Sequence, residues 1–127
     1  MGADWSGDEL AVMQVDDELE IAAPRRDGTF GGYVPIWVVR SGAGIYVRTW
    51  YRRDTGWFGR AVRAGMARIR LGELDVDVIV DDVAADAELR LAIDDAYRAK
   101  YGRFGSAAER MVAADAAQTT LRLTPRQ

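Results

Sequence analysis

The chain has 127 residues, 49% of them apolar and 29% charged, with a formal net charge of −3 and neither histidine nor cysteine. Such a length and apolar fraction suit one folded domain, residues 1–127, burying roughly two-thirds of the unfolded surface. The missing residue types exclude disulfides, thiolate or imidazole metal centres, and nucleophile systems built on His or Cys.

The three serines, Ser6, Ser41 and Ser106, lie in no G-x-S-x-G turn. The net charge argues against nonspecific binding to nucleic acid, and no apolar run is long enough to cross a bilayer. Residues 1–20 hold seven acids and no Lys or Arg, unlike a signal or transit peptide, so a cytoplasmic location is expected. The average charge hides an asymmetry. Residues 25–70 carry ten Arg against two Asp, whereas the rest carries seven basic and eighteen acidic residues. A patch this lopsided points to a local anion site.

Ser6-Gly7-Asp8-Glu9 has the S-x-x-E pattern of a capping box and predicts a helix to about Val15. Leu19, Ile21 and Ala23 alternate with polar residues in a strand ending at Pro24, and residues 25–32 turn around Asp27-Gly28. Val34–Val39 is apolar on both faces, which predicts a central strand buried on two sides. Through the turn at residues 41–44 it should form a hairpin with the strand Ile45–Trp50.

A helix is expected over Thr55–Ala64, capped by Asp54 or Thr55 and stopped by Gly65, with Trp57, Phe58, Ala61 and Val62 inward. Gly72-Glu73 is a Gly-X hairpin turn. It sets Leu71 opposite Leu74, Arg70 opposite Asp75, Ile69 opposite Val76 and Arg68 opposite Asp77, so both polar pairs are Arg–Asp. A long helix follows over Asp86–Tyr101, with Leu89, Ile93, Ala96, Tyr97 and Lys100 at helical spacing and Gly102 at its end. Ser106-Ala107-Ala108-Glu109 reads as a second capping box opening a helix through Ala117. Thr119–Thr124 alternates as a terminal strand. The fold class expected is α+β: a six-stranded antiparallel split β-barrel with flanking helices.

Five blocks in this order carry a resemblance. They are R-R-D-G-T-F-G-G-Y-V-P-I-W-V-V (Arg25–Val39), I-Y-V-R-T-W (Ile45–Trp50), W-F-G-R-A (Trp57–Ala61), D-D-A-Y-R-A-K-Y-G (Asp94–Gly102) and T-T-L-R-L-T-P-R (Thr119–Arg126). From about Leu19 onward the chain resembles the bacterial domain of unknown function 2255 family. That family is similar to the flavin-binding split barrels, which include pyridoxamine-phosphate-oxidase-like proteins and deazaflavin-dependent reductases. The resemblance implies a homodimer with FMN or a deazaflavin coenzyme in a groove between subunits. Where the deazaflavin branch has a Gly- and Ser-rich phosphate turn, this chain has Tyr51-Arg52-Arg53-Asp54, so its phosphate contacts would differ.

The residues themselves nominate an anion site from Arg48, Thr49, Arg52 and Arg53 with the start of the helix at Thr55, because guanidinium groups and free helical N–H groups both bind phosphate. A solvated arginine cluster paired with the acidic helices is the competing account. Arg25 and Arg26, in a glycine-bearing turn, are a second phosphate candidate. Trp50 and Trp57 are candidates to stack on a flat ring, Trp50 first because it shares a face with Arg48; core packing is the alternative for each tryptophan, Trp37 included.

Arg48, Tyr97 and Tyr101 are the catalytic candidates, the tyrosines as proton donors near Lys100. The ordinary edge of an amphipathic helix competes with that reading. Asp75, Asp77, Asp81 and Asp82 are already committed to cross-strand pairs or a helix approach, so no metal site is expected. The leading expectation is an oxidoreductase acting on a small anionic or aromatic molecule with a flavin or deazaflavin. A cofactor-free cyclase or isomerase and a non-enzymatic ligand-binding dimer remain as alternatives.

Overall fold

The computed structural model describes residues 4–49 and 56–126. Ser6 caps the first helix, α1 (Gly7–Val15), as its sequence predicts. The Ser6 hydroxyl accepts the Glu9 N–H at 3.1 Å, and the Glu9 carboxylate accepts the Ser6 N–H at 2.8 Å. Seven strands follow: β1 (Glu18–Ala22), β2 (Val34–Trp37), β3 (Val39–Ser41), β4 (Gly44–Val47), β5 (Met66–Leu71), β6 (Leu74–Asp82) and β7 (Leu121–Pro125). They form one antiparallel sheet in the order β2-β1-β5-β6-β7-β4-β3.

The two ends of that sheet, β2 and β3, are consecutive in the chain and separated by one residue, Val38. The backbone therefore bridges the gap that no ladder hydrogen bonds close, and the sheet curls into a nearly closed, split barrel. This is the expected class with seven strands instead of six. The difference lies in Val34–Val39, expected as one buried strand. Val34 and Pro35 are exposed on an edge strand paired with β1, and after Val38 the chain leaves to pair with β4. Pro35 fits an edge because it has no N–H to donate. The strand buried on both faces is β4, where Ile45, Tyr46 and Val47 are all enclosed.

The β5–β6 hairpin has the register its sequence dictates, from Leu71↔Leu74 to Arg68↔Asp77. The barrel is filled from its strands by Leu19, Ile21, Ile45, Val47, Ile69, Val78, Val80, Leu121 and Leu123. Each fully buried aliphatic side chain contributes about 1.5–3 kcal/mol. Helix α2 (Gly56–Ala64) adds Trp57, Phe58 and Ala61 to this core, while Val62 faces solvent; Gly65, at φ 71°, ends the helix. Trp5, beside α1, donates its indole N–H to the Leu123 carbonyl at 2.9 Å.

Outside β3 and β4 lies a second core. It is made by α3 (Ala87–Tyr101), the 3-10 turn Gly102–Phe104 and α4 (Ser106–Val112), and it encloses Val39, Tyr46, Ile93, Tyr97, Tyr101, Ala108 and Met111. Asp86 caps α3. Ser106, expected as a cap, is already inside α4. Gly105, at φ 60°, takes the cap position, and the helix expected through Ala117 breaks at Ala113 before α5 (Ala114–Ala117).

Candidate functional site

At the end of β4 the outward face meets α3, and there Arg48 is turned inward, only 1% exposed. Its Nη1 lies 2.6 Å from the Asp94 carboxylate and 2.8 Å from the Met111 carbonyl. Its Nε lies 2.8 Å from the Thr120 hydroxyl, and its Nη2 reaches the Arg90 carbonyl at 3.3 Å. Four of its five N–H donors are thus matched, and its Cζ lies 5.4 Å from the centre of the Tyr97 ring. The guanidinium of Arg48 thus ties the end of β4 to α3, α4 and the residue before β7.

Thr49 continues the same anchorage. Its N–H donates to the Thr119 hydroxyl at 2.9 Å, and Thr119 Oγ1 also lies 2.7 Å from the Thr49 carbonyl. Thr120, in turn, lies 2.6 Å from the Ala117 carbonyl. Arg48 and Thr49 are therefore anchored by hydrogen bonds immediately before residue 50. Trp50, Arg52 and Arg53, with the helix-capping candidates Asp54 and Thr55, fall outside the described residues.

The tyrosine candidates sit in the outer core. Tyr101 stacks on Trp37 with ring centres 4.1 Å apart and planes within 1°, and its hydroxyl is bound to backbone at Val38 and Asp17. Tyr97 is fully buried, and its hydroxyl finds no hydrogen-bond partner within bonding geometry among the described residues. Burial pushes both phenols well above their ordinary value of 10.0. Enclosure in low-dielectric surroundings, and not the neighbouring Lys100, sets the direction for both. Lys100, the chain's one lysine, instead donates to the carbonyls of Val38 at 2.7 Å and Met13 at 2.8 Å. Burial lowers its pKa to about 8, against the opposing pull of Asp17 and Asp16. Trp57 lies in the barrel core, edge-on to Phe58 at 5.8 Å.

Arg25 and Arg26 stand in the β1–β2 loop. Arg25 closes that loop on itself, donating to the Phe30 carbonyl at 2.8 Å, whereas Arg26 is exposed. Asp27 accepts the N–H and hydroxyl of Thr29, which lower its pKa. The loop packs onto α2 at Gly31, beside Arg60. Arg60 is half-buried, its Nε is shut off from solvent, and it makes no hydrogen bond or ion pair among the described residues.

A separate concavity of about 550 Å³ opens on the outer face of the sheet, lined by Tyr33, Arg68, Asp75, Val76, Asp77 and Arg126. Arg68 pairs with Asp77 at 2.8 Å and covers the Phe30 ring at 4.1 Å. Arg70, expected to pair with Asp75, contacts Glu20 at 3.3 Å and covers Tyr33 at 3.6 Å. With both signs of charge present, this groove favours no simple anion. The described residues contain no cluster of acids suited to a metal and no helix long and apolar enough to cross a membrane.

Sequence reasoning missed Asp94, Thr119, Thr120 and Arg60. Asp94 had one available signal. It stands three residues before Tyr97 and seven before Tyr101, so it shares their helical face, where a carboxylate needs a partner.

Similarities to known proteins agree with this architecture. The chain resembles HutZ, described as the heme storage protein of Vibrio cholerae, with a TM-score of 0.66 at 17% identity over 92% of this chain and 87% of that one. A conserved hypothetical protein of Mycobacterium tuberculosis gives 0.66 at 13%, over 99% and 84%. A FAD-binding protein of Mesorhizobium loti gives 0.63 at 16%, over 97% and 91%. Identities this low show a shared fold and nothing finer. No curated protein matches the sequence. The family described as "Uncharacterized protein conserved in bacteria (DUF2255)" matches residues 9–123, and the chain belongs to it.

Proposed function

We propose that this DUF2255 protein is a small-molecule oxidoreductase that works with a bound flavin or deazaflavin, the coenzyme's anionic tail being held by arginines. Two structures of the same fold are described as a FAD-binding protein and a heme storage protein, and the residue inventory favours the flavin. Heme iron takes an axial ligand from His, Cys, Met or Tyr. This chain has no His or Cys, so only Met or Tyr could serve, and of these Met13, Tyr97 and Tyr101 are enclosed in the two cores. A flavin needs no such ligand: it needs apolar contact for its ring and positive charge for its phosphate. The observation that carries the reading is this match between a split barrel and a cationic set made of arginines with one lysine.

The bound coenzyme would supply hydride transfer. The chain's own residues would bind and orient it. Arg26 and Arg25 would meet phosphate from the β1–β2 loop, with Arg52 and Arg53 as further cations and Trp50 as the ring contact. Arg48 and Thr49 would act through position, since their hydrogen bonds fix the base from which residues 50–55 depart. A cytoplasmic homodimer with the coenzyme groove between subunits belongs to the same reading.

Titrating the purified chain with FMN and, separately, with a deazaflavin coenzyme tests it. Saturable quenching of fluorescence by one of them is expected, together with a native mass of two chains plus ligand. Loss of both responses, with binding of a conjugated carbonyl compound instead, would transfer the reading to the cofactor-free cyclase or isomerase.

A further inference from the structure

Arg60 lies midway along α2, and its side chain is half-buried against the β1–β2 loop. A guanidinium is charged at every accessible pH and carries five N–H donors. Here the Nε–H is closed off from solvent with no acceptor, and no donor of Arg60 meets a hydrogen-bond or ion-pair partner among the described residues. Arg48 shows that this fold can satisfy an enclosed arginine, with a carboxylate and three oxygen acceptors. Leaving that one donor enclosed without an acceptor is costly, so Arg60 has an unmet need for an acceptor at Nε.

The surroundings fit an anion. Gly31 is bare where the guanidinium rests: a Cβ there would lie 2.9 Å from Arg60 Nη2 and 3.5 Å from Cζ. The backbone at Gly31 is fixed, because its N–H donates to the Ala23 carbonyl at 2.9 Å. Gly32, next along, leaves open space where a side chain would stand. The same loop holds Arg25 and Arg26, and α2 holds Arg63. The single acid on either element, Asp27, is engaged by the N–H and hydroxyl of Thr29. The charge carried by these two elements is therefore net positive.

We propose that Arg60, seated against Gly31, is an oxyanion receptor that takes a phosphate or carboxylate group of a small ligand. The site extends the anion-binding part of the proposed function, but its test requires no flavin.

The experiment uses the full 15N-labelled chain and follows the arginine Nε–Hε resonances during titration with inorganic phosphate and, in a second arm, with acetate. The Arg60 resonance, identified by its disappearance in Arg60→Met, should move saturably. Movement with phosphate alone assigns a phosphate site; movement with acetate alone assigns a carboxylate site. Affinity for the effective anion should fall about tenfold or more in Arg60→Met. Gly31→Ala supplies a second variant, since its new methyl meets the flexible end of Arg60. It should displace the guanidinium, leave the fold intact and weaken binding at unchanged charge. A silent Arg60 resonance in both arms, or undiminished affinity in both variants, overturns the proposal. If phosphate moves Arg60 and FMN binds nowhere, only the flavin reading is lost; if FMN binds and Arg60 stays silent to every anion, only this inference is.

Discussion

The hydroxyl oxygen of Tyr101 accepts the backbone N–H of Val38 at 3.0 Å, across 63 residues of sequence. Val38 is the residue at which the chain leaves one end of the sheet for the other, so its peptide groups have no strand to pair with. It is fully buried, and its polar groups still need partners. α3 supplies them from two adjacent side chains, the hydroxyl of Tyr101 for the N–H and the ammonium of Lys100 for the carbonyl. The same two groups reach Asp17 and Met13, which ties the end of α1 and the start of β1 to the split. The barrel's open seam is thus closed by helix side chains.

Tyr101→Phe removes the oxygen and keeps the ring that stacks on Trp37. The Val38 N–H is then left buried without an acceptor, which costs about 1–3 kcal/mol. Denaturant midpoints should fall accordingly with little change in slope. Equal stability of the variant and the parent would show that the seam is held by packing alone.

The pH dependence of stability follows from the same cluster. Burial sets Lys100 at a pKa of about 8, below its ordinary 10.5, so the folded chain releases this proton before the unfolded chain does. Below about 8 both states are protonated and the contribution is flat. Between about 8 and 10.5 the unfolded chain holds the extra proton, and stability rises with pH. Tyr97 and Tyr101 act with the opposite sign. Burial holds both phenols above 10.0, so beyond that pH the unfolded chain loses protons that the folded chain keeps, and stability falls. Urea midpoints should therefore climb from about pH 8 and turn down near 10. Lys100→Met, less stable throughout because the Val38 and Met13 carbonyls lose a donor, should lack the climb and retain the decline. A parent profile that is level from pH 8 to 10 contradicts this account.

Ser6 and Ser106 carry the same S-x-x-E signal and have different fates. Ser6 caps α1 through both reciprocal bonds, whereas Ser106 lies within α4 and makes no capping bond. Ser6→Ala should cost about 1 kcal/mol, and Ser106→Ala should be close to neutral. Thermal midpoints of the two variants measured side by side separate these outcomes; equal losses would mean that the α1 cap contributes nothing of its own.

What could be read along the chain was local. The β5–β6 register followed from a Gly-X turn and alternating residues a few positions apart, and the limits of α1 and α3 and the C-terminal end of α2 from caps and glycines. What escaped was set by distant segments. Val34–Val39 looks uniformly apolar, yet its first residues face solvent and its last are covered by helices from the other half of the chain. Arg48 stands at the end of β4 on the side that faces the outer core. Nothing near it in sequence disclosed that α3 would cover that face and bring Asp94 from 46 residues away. Arg60 left no pattern, because its distinguishing feature is the lack of a partner in the folded chain.

Arg48 and Asp94 give the sharpest division between support and chemistry. Their charges are almost wholly enclosed, with side-chain exposures of 0% and 12%. Asp94→Ala strands a buried cation and should cost about 3–5 kcal/mol. Asp94→Asn keeps an acceptor for Nη1 and should cost less. If the pair is a strut, the double replacement Arg48→Met with Asp94→Leu should recover much of the loss, since an apolar pair of similar volume avoids desolvating two charges. An anion ligand at Arg48 would behave differently: the double variant could regain stability and would still lose phosphate or flavin binding. A double-mutant cycle read by both denaturation and ligand titration decides the matter. Recovered stability with binding retained identifies support. Recovered stability with binding abolished returns Arg48 to the ligand site, and its enclosed hydrogen bonds would then have to open for the anion to enter.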